Sequence, residues 1–230
     1  MQFTDFISNA QNVTTKPSCP QKCEFKTRND IPIVGIPEPR NQNHFTGIII
    51  SRDPTTAFIE PYMDARQKSP EGWHHQLMTA SAPPQWIIGQ LATFNRKYLE
   101  GQYTAEIECL KEIMANNVYW THLHKCCTDK QSEEAPCFKT KNARLCADQW
   151  LRQELSDAIG LGAKFIICVG NDAKAWVSEW EKESGAHGVR VFYLPHPSGA
   201  ANGAWNPKDD EKMSMLKAEI IGLFRTIGQN

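Results

Sequence analysis

Four short apolar stretches lie at wide intervals along the chain, and each ends in polar or glycine-containing sequence. They are rich in β-branched and aromatic residues, which favour strands. Their apolar residues are nearly continuous rather than alternating, as in parallel strands that are buried on both faces. The four predicted strands are GIIISR (47–52), VYWTHLH (118–124), KFIICVG (164–170) and VRVFYLP (189–195).

Between these stretches, apolar residues recur every three or four positions, which is the spacing of amphipathic helices. Strands that alternate with such helices predict an α/β fold, here a three-layer α-β-α sandwich around a central, mainly parallel four-stranded sheet. The length of 230 residues fits a single domain over 1–230. Helices are predicted from Pro83-Pro84 toward Leu99, over 103–116, over 143–158, from Asn171 onward and over 208–226.

Charge and hydropathy bear on partners and compartment. The formal net charge is −1, so any DNA-binding surface must be a local basic patch. No signal peptide and no apolar run of membrane-spanning length is visible, and we therefore expect a cytoplasmic protein with no membrane partner. We also expect a monomer. The candidate patch residues are Arg52, Lys125, Lys139, Lys141 and Arg144.

The chain holds eight cysteines, which in a cytoplasmic protein are unlikely to form disulfides. Cys19 and Cys23 form an early pair, and Cys126, Cys137 and Cys146 follow much later. A four-thiolate set divided in this way suits an iron–sulfur cluster or zinc. The alternative is that several of these residues are ordinary buried cysteines.

Polar side chains follow each predicted strand. Asp53 follows the first strand, His122 lies near the end of the second, Asn171 and Asp172 follow the third, and His196 follows the fourth. Because ligands of parallel sheets bind beyond the carboxyl ends of the strands, these residues mark a candidate site. The alternatives are an Asp-Pro turn at Asp53 and a structural histidine at His196.

Two of the strand ends carry motifs, ISRDPTT (50–56) and LPHPSGA (194–200). Together they resemble the uracil-DNA glycosylase superfamily, whose first motif is of the GQDPY or GEAPG type and whose second is HPS. Three further stretches, VYWTHLHKC (118–126), LCADQWLRQEL (145–155) and KFIICVGNDA (164–173), are similar to segments of the same family. The resemblance covers about residues 19–200 and is greatest to the iron–sulfur branch, the family-four type.

The resemblance implies a [4Fe–4S] cluster held by Cys19, Cys23, Cys126 and Cys146, with Cys127 as a neighbouring substitute for Cys126. Such a cluster would tie the N-terminal segment to the end of the second strand. Zinc is the alternative occupant.

The resemblance also implies roles at the two motifs. Asp53 would orient water or stabilise positive charge on the sugar, as carboxylates do in glycoside hydrolysis. His196 would donate a hydrogen bond to the departing base. Ser198 and the backbone of Gly199 would contact DNA phosphate, and Arg52 would contribute to the DNA-binding surface.

The base itself would leave the stack and enter a pocket with an aromatic floor. Tyr62 resembles the stacking residue of the family, and Phe58 competes with it for that role. His122 stands where the iron–sulfur branch has an asparagine that reads uracil, and this difference alters the hydrogen-bonding pattern of the site.

The resulting prediction is a monofunctional DNA glycosylase that removes uracil or a modified pyrimidine. The modified base could be a bulky cytosine derivative of phage DNA, with defence rather than repair as the role. The alternative is a non-catalytic iron–sulfur protein that binds nucleic acid or senses redox state. Trp205 could either enter the DNA or be anchored in the fold.

Overall fold

A four-stranded parallel sheet lies at the centre of the computed structural model, which describes residues 3, 5–6, 44–54, 82–126, 138–185, 188–198 and 201–229. The strand order is β2-β1-β3-β4, and every neighbouring pair is parallel. The α/β prediction is therefore confirmed. The strands are β1 (Gly47–Ser51), β2 (Val118–His122), β3 (Phe165–Val169) and β4 (Arg190–Leu194).

Seven α-helices and one π-helical turn accompany the sheet within the described residues. The π-helical turn, Ala147–Leu151, joins the third helix to the fourth. The helices are α1 (Ala82–Tyr98), α2 (Thr104–Asn117), α3 (Thr140–Cys146), α4 (Arg152–Gly160), α5 (Asn171–Ser184), α6 (Asn202–Trp205) and α7 (Asp210–Ile227).

Two apolar clusters cover the two faces of the sheet. Ile49 and Trp120 belong to the cluster that includes buried residues of α1, α2 and α7. Ile48 and Tyr119, one position away along each strand, belong to the cluster that includes α3, α4 and α5. This alternation follows from the two-residue period of a strand, and it explains why the strands are apolar at nearly every position.

Close packing across the sheet also fixes residue size in β1. A Cβ atom at Gly47 would collide with the ring of Phe165, its partner on β3. Glycine at this position therefore lets the large Phe165 ring fill the core.

The helical predictions need two corrections. The helix expected over 143–158 begins at Thr140 and is interrupted by the π-helical turn before α4 continues to Gly160. The short helix α6 was not predicted at all. Among the helices that the structure describes, none is both long and apolar enough to cross a membrane.

Candidate active site

The loop after β1 is held in place by the chain that continues from β2. The Leu123 N–H donates to the Ser51 carbonyl at 2.9 Å, and the His124 N–H donates to the Arg52 carbonyl at 3.0 Å. These bonds extend the parallel pairing of Ser51 with His122 by two residues. The loop therefore leaves the sheet in a fixed direction.

Asp53 lies in this loop and is buried. Its Oδ1 forms an ion pair with Nε of Arg52 at 2.6 Å. The Arg52 guanidinium in turn lies 4.5 Å from the centre of the Phe138 ring, in a cation–π contact. A buried carboxylate is retained only where such a partner offsets its lost hydration. The pair thus keeps an anionic oxygen at the carboxyl edge of β1.

His196 follows β4 by two residues, and its ring has a defined tautomer. The backbone N–H of Ser198 donates to His196 Nδ1 at 3.2 Å, and the Ser198 hydroxyl lies 2.9 Å from the same nitrogen. A backbone amide can only donate, so Nδ1 must accept and the proton of the neutral ring lies on Nε2. His196 therefore presents a hydrogen-bond donor at Nε2.

The backbone around His196 is equally constrained. The indole N–H of Trp205 donates to the His196 carbonyl at 3.0 Å. A Cβ atom on Gly170 would lie 3.7 Å from the His196 Cβ, so the two residues are in contact. The φ angle of Gly170 is +89°, a backbone conformation that favours glycine. The turn between β3 and α5 and the helix α6 thus support the histidine from two sides.

Charge links His196 to the loop after β1. Burial lowers the pKa of His196, the positive charge of Arg52 lowers it further, and the negative charge of Asp53 opposes the shift. The ring is accordingly neutral at neutral pH. Arg52 and Asp53 both lie close enough to act on it, so the structure brings the two predicted catalytic residues to the same edge.

Two further histidines lie at the end of β2. His122 is buried, and burial lowers its pKa well below the ordinary value, with smaller contributions from Lys125 and His124. His124 is also buried, and its Nδ1–H donates to the Cys126 carbonyl at 3.1 Å. Burial lowers the pKa of His124, whereas this hydrogen bond and the charge of Asp53 oppose the shift.

His124 was not among the site residues predicted from the sequence. The available signal is its spacing, since residues two apart in an extended segment point to the same side and His122 was already a candidate. The influence of Asp53 on His124 places it near the loop after β1.

The prediction that Lys125 forms part of a basic DNA-binding patch is wrong. Lys125 is buried, and its Nζ contacts Glu154 Oε2 at 2.6 Å and the Thr121 hydroxyl. A buried ammonium group needs such partners to offset its desolvation, and it is not available to phosphate. Of the other patch candidates, Lys139 and Lys141 are exposed, and Arg144 is paired at the surface with Glu179.

Comparison with known proteins bears directly on this edge of the sheet. The family model of the uracil DNA glycosylase superfamily matches residues 33–218, a range that contains both strand-end motifs. The chain belongs to the uracil-DNA glycosylase superfamily. No curated protein sequence matched the chain. Proteins of this superfamily are in general DNA glycosylases, hydrolases that act on DNA.

Only part of the predicted superfamily cluster site is described. Cys126 and Cys146 are buried, and the backbone N–H of Lys125, the residue before Cys126, lies 3.5 Å from the Cys146 Sγ. The Cys146 thiol therefore lies against the backbone just before Cys126, and an N–H group directed at sulfur is a feature that stabilises a metal-bound thiolate. Cys126 and Cys146 both carry thiols, the donor type that the predicted cluster site requires.

The remaining cysteine ligands cannot be placed, since Cys19, Cys23, Cys127 and Cys137 lie outside the described residues. Within the described residues, no group of three or more metal-ligating side chains occurs. Cys168 is buried in β3, and Cys109 packs against the core.

The other candidate residues lie partly inside and partly outside the described part of the chain. Trp205 is buried and bonded to His196, so of the two alternatives it is the anchored residue. The Ser198 hydroxyl lies against the His196 ring, and its contact with DNA phosphate stays a prediction. The predicted DNA-contacting residues that lie outside the described part of the chain are Phe58, Tyr62 and Gly199.

Proposed function

We propose that this protein is a monofunctional DNA glycosylase that flips one nucleotide out of DNA and hydrolyses its N-glycosidic bond, leaving an abasic site. The observation that carries the proposal is the pairing of a buried carboxylate, Asp53, with a neutral imidazole, His196, at one edge of the sheet. Hydrolysis of this bond develops positive charge on the sugar and negative charge on the base. Catalysis therefore needs one group that stabilises the charge on the sugar and one that stabilises the charge on the base.

His196 is the partner for the base. Its Nε2–H would donate to the departing base, whose ring gains negative charge as the bond breaks. The Ser198 N–H supports this role because it occupies Nδ1 as acceptor and so assigns the ring proton to Nε2. A lowered pKa keeps the imidazole neutral at neutral pH, so Nδ1 stays an acceptor for the Ser198 N–H and the ring proton stays on Nε2.

Asp53 is the partner for the sugar. Its carboxylate would stabilise the oxocarbenium-like sugar or orient the attacking water, as carboxylates do in glycoside hydrolysis. The ion pair with Arg52 holds it in one orientation. In the reaction the C1′–N bond breaks and water forms a C1′–O bond; one hydrogen of the water stays on the sugar hydroxyl, and its other proton goes to the departing base.

His122 is the proposed base-reading residue. It ends β2 and lies opposite Ser51 in register. Asp53 lies two positions after Ser51 along the chain. A neutral imidazole offers one donor and one acceptor, but in a different arrangement from an amide. We therefore infer a substrate that is either uracil or a modified pyrimidine, such as a bulky cytosine derivative of phage DNA, with repair or antiphage defence as the corresponding role in the cytoplasm.

A [4Fe–4S] cluster is the proposed cofactor, with Cys19, Cys23, Cys126 and Cys146 as ligands and zinc as the alternative. Bound there, it would supply a structural cross-link between the N-terminal segment and the end of β2. The buried pair Cys126 and Cys146 supports it. Purified protein that is brown, with absorbance of a cluster and matching iron and sulfide content, would support iron–sulfur, whereas colourless zinc-loaded protein would disprove it.

The test of function is base-release profiling. The protein is incubated with DNAs that carry uracil, other damaged bases or phage-derived modified cytosines, and the released base is identified. On the active substrate, Asp53→Asn and His196→Ala should each lower the rate about 100-fold or more. Glu108→Gln on α2, an exposed carboxylate paired with Lys111 on its own helix, serves as the matched control.

Two outcomes would contradict the proposal. Base release that survives both active-site substitutions would remove Asp53 and His196 from the reaction. Cluster-dependent DNA binding with no abasic site formed on any substrate would favour the alternative, a non-catalytic iron–sulfur protein that binds nucleic acid or senses redox state.

A further inference from the structure

A cavity of about 590 Å³ lies beside the candidate active site, between α1 and the chain that follows His196. Its described lining includes neither Asp53 nor His196, so it is separate from the catalytic pair. We call it the α1 groove. Its walls include Trp86, Gln90, Phe94, Tyr98, Pro197 and Trp205.

Four of the twelve described residues that line the α1 groove are aromatic, and one of these is exposed. Trp86 has 41% of its surface accessible, and the other large apolar side chain of comparable exposure among the described residues is Met215 on α7, at 59%. Phe94 and Tyr98 line the same groove further along α1, with ring centres 4.9 Å apart. An indole that is exposed at the rim of a groove is the type of surface on which an unpaired base stacks.

The floor of the α1 groove is continuous with the His196 segment. Gln90 Nε2 donates to the Pro197 carbonyl at 3.4 Å and to Asn202 Oδ1 at 3.1 Å. Pro197 directly follows His196, and Trp205 both lines the groove and holds the His196 carbonyl. A molecule in the groove would therefore lie beside the nucleotide that His196 contacts.

The charge of the groove favours a nucleic acid over an apolar peptide. No described lining residue is acidic, and the charged one is Lys97, whose Nζ lies 4.9 Å from the Tyr98 ring centre. Lys217 on α7 approaches the same ring at 5.8 Å. Cations placed among aromatic rings match a phosphate and its base together, because one group neutralises and the other stacks.

We propose that the α1 groove is a stacking subsite for an unpaired base that neighbours the flipped nucleotide, with Trp86 as the platform and Lys97 at the adjoining phosphate. The inference rests on the proposed function and extends it. It assigns the protein a preference for single-stranded or locally opened DNA, since a paired base cannot stack outside the helix.

The test compares two strands of equal length and charge. One is a short oligothymidylate, and the other carries abasic spacers in place of every base. Fluorescence anisotropy should show tighter binding of the oligothymidylate by the wild-type protein. Trp86→Ala should reduce this preference roughly tenfold, since one stacked base is lost, and Trp86→Phe should retain part of it. Met215→Ala is the matched control and should leave the preference unchanged.

Equal binding of the two strands by the wild type, or a preference that survives Trp86→Ala, would overturn the subsite. Thermal unfolding of each variant excludes misfolding, and the partial recovery in Trp86→Phe supports stacking over a general loss of structure. Lys97→Gln should weaken both strands alike, because its partner is the backbone; an effect on the oligothymidylate alone would contradict the assignment.

Failure of the subsite and failure of the proposed function give different results. The binding comparison needs no base release, and base-release profiling needs no preference between the two strands. A Trp86-dependent preference without base release on any DNA would leave a nucleic-acid subsite and remove the glycosylase. Base release with no Trp86-dependent preference would keep the glycosylase and remove the subsite.

Discussion

His196 combines a defined tautomer with a lowered pKa, and both depend on named neighbours. Protonation of Nδ1 would break the hydrogen bond that it accepts from the Ser198 N–H and so release the ring, and activity should fall as pH decreases through the pKa of His196, which lies below the ordinary value. Arg52→Gln removes a positive charge that lowers this pKa. The acid limb of the pH–rate profile should therefore move to higher pH. Single-turnover base release against pH measures the shift.

One control variant and one difference from His122 assign the acid limb to His196 in this experiment. Lys139→Gln removes an exposed charge that does not act on His196, so it should leave the acid limb in place. His122 also has a lowered pKa, but through burial, Lys125 and His124 rather than Arg52. An acid limb that Arg52→Gln does not move would assign it to a group other than His196.

His122 should determine which base is accepted. His122→Asn introduces the amide that the resemblance to the iron–sulfur branch implies at this position, and one well-placed pair of hydrogen bonds discriminates bases by about tenfold or more. We expect the rate on uracil DNA to rise relative to the rate on the best modified base. Competition between the two substrates in one reaction measures the ratio. An unchanged ratio would remove His122 from base reading.

At the scale of elements, the strands were predictable to within one or two residues because they are apolar on both faces and end at polar residues. The bounds of the helix after Lys139 were less predictable. The π-helical turn at Ala147–Leu151 shifts the spacing of apolar residues on which a helix prediction relies. The helix α6 was missed because Asn-Gly-Ala is typical of a turn. Its stability comes from burial of Trp205 against distant residues.

The pair Lys125–Glu154 links the end of β2 to α4 and should be a major contributor to stability. Both side chains are buried, with 2% and 7% of their surface accessible. Lys125→Met leaves an unpaired buried carboxylate, at a cost of about 3–5 kcal/mol in the free energy of unfolding, and Lys125→Met with Glu154→Leu should recover much of it. Urea denaturation measures both.

The surface pair Arg144–Glu179 is the control for that comparison. Its atoms are also close, at 2.7 Å, but its side chains are 46% and 50% accessible. Solvent screens such a pair, so Arg144→Ala should cost about 1 kcal/mol or less. Equal losses at the two sites would contradict the role assigned to burial.

The helix α6 should affect catalysis more than stability. Trp205→Phe keeps an aromatic ring in the core but removes the N–H that holds the His196 carbonyl. One hydrogen bond contributes roughly 1 kcal/mol to stability. The rate of base release should fall by a larger factor than the loss of this free energy would produce, because the His196 backbone loses the hydrogen bond that fixes its position. A fall in thermal stability with an unchanged rate would make Trp205 a core residue alone.

Over the whole molecule, the residues that could be identified from sequence were those that topology alone brings together. Asp53 and His196 follow parallel strands, so their common edge followed from the strand pattern. Lys125 could not be placed in the same way, because its partner Glu154 is 29 positions along the chain and on a helix. A lysine is rarely buried, and only the fold shows the carboxylate that permits it.

The near-neutral charge of the molecule predicts a shallow salt dependence of DNA binding. Lys125 is buried, and Arg144 is paired with Glu179. Of the described basic residues in the predicted patch and the α1 groove, we assign phosphate contacts to the exposed Lys97, Lys139 and Lys141. About three contacts with a single strand give a slope of log affinity against log salt near −2. Lys139→Ala should reduce the magnitude of this slope by about 0.7.

Trp86→Ala should weaken binding at every salt concentration without changing the slope, because stacking releases no counterions. A slope steeper than about −6, measured by anisotropy, would require a larger basic surface than these lysines provide.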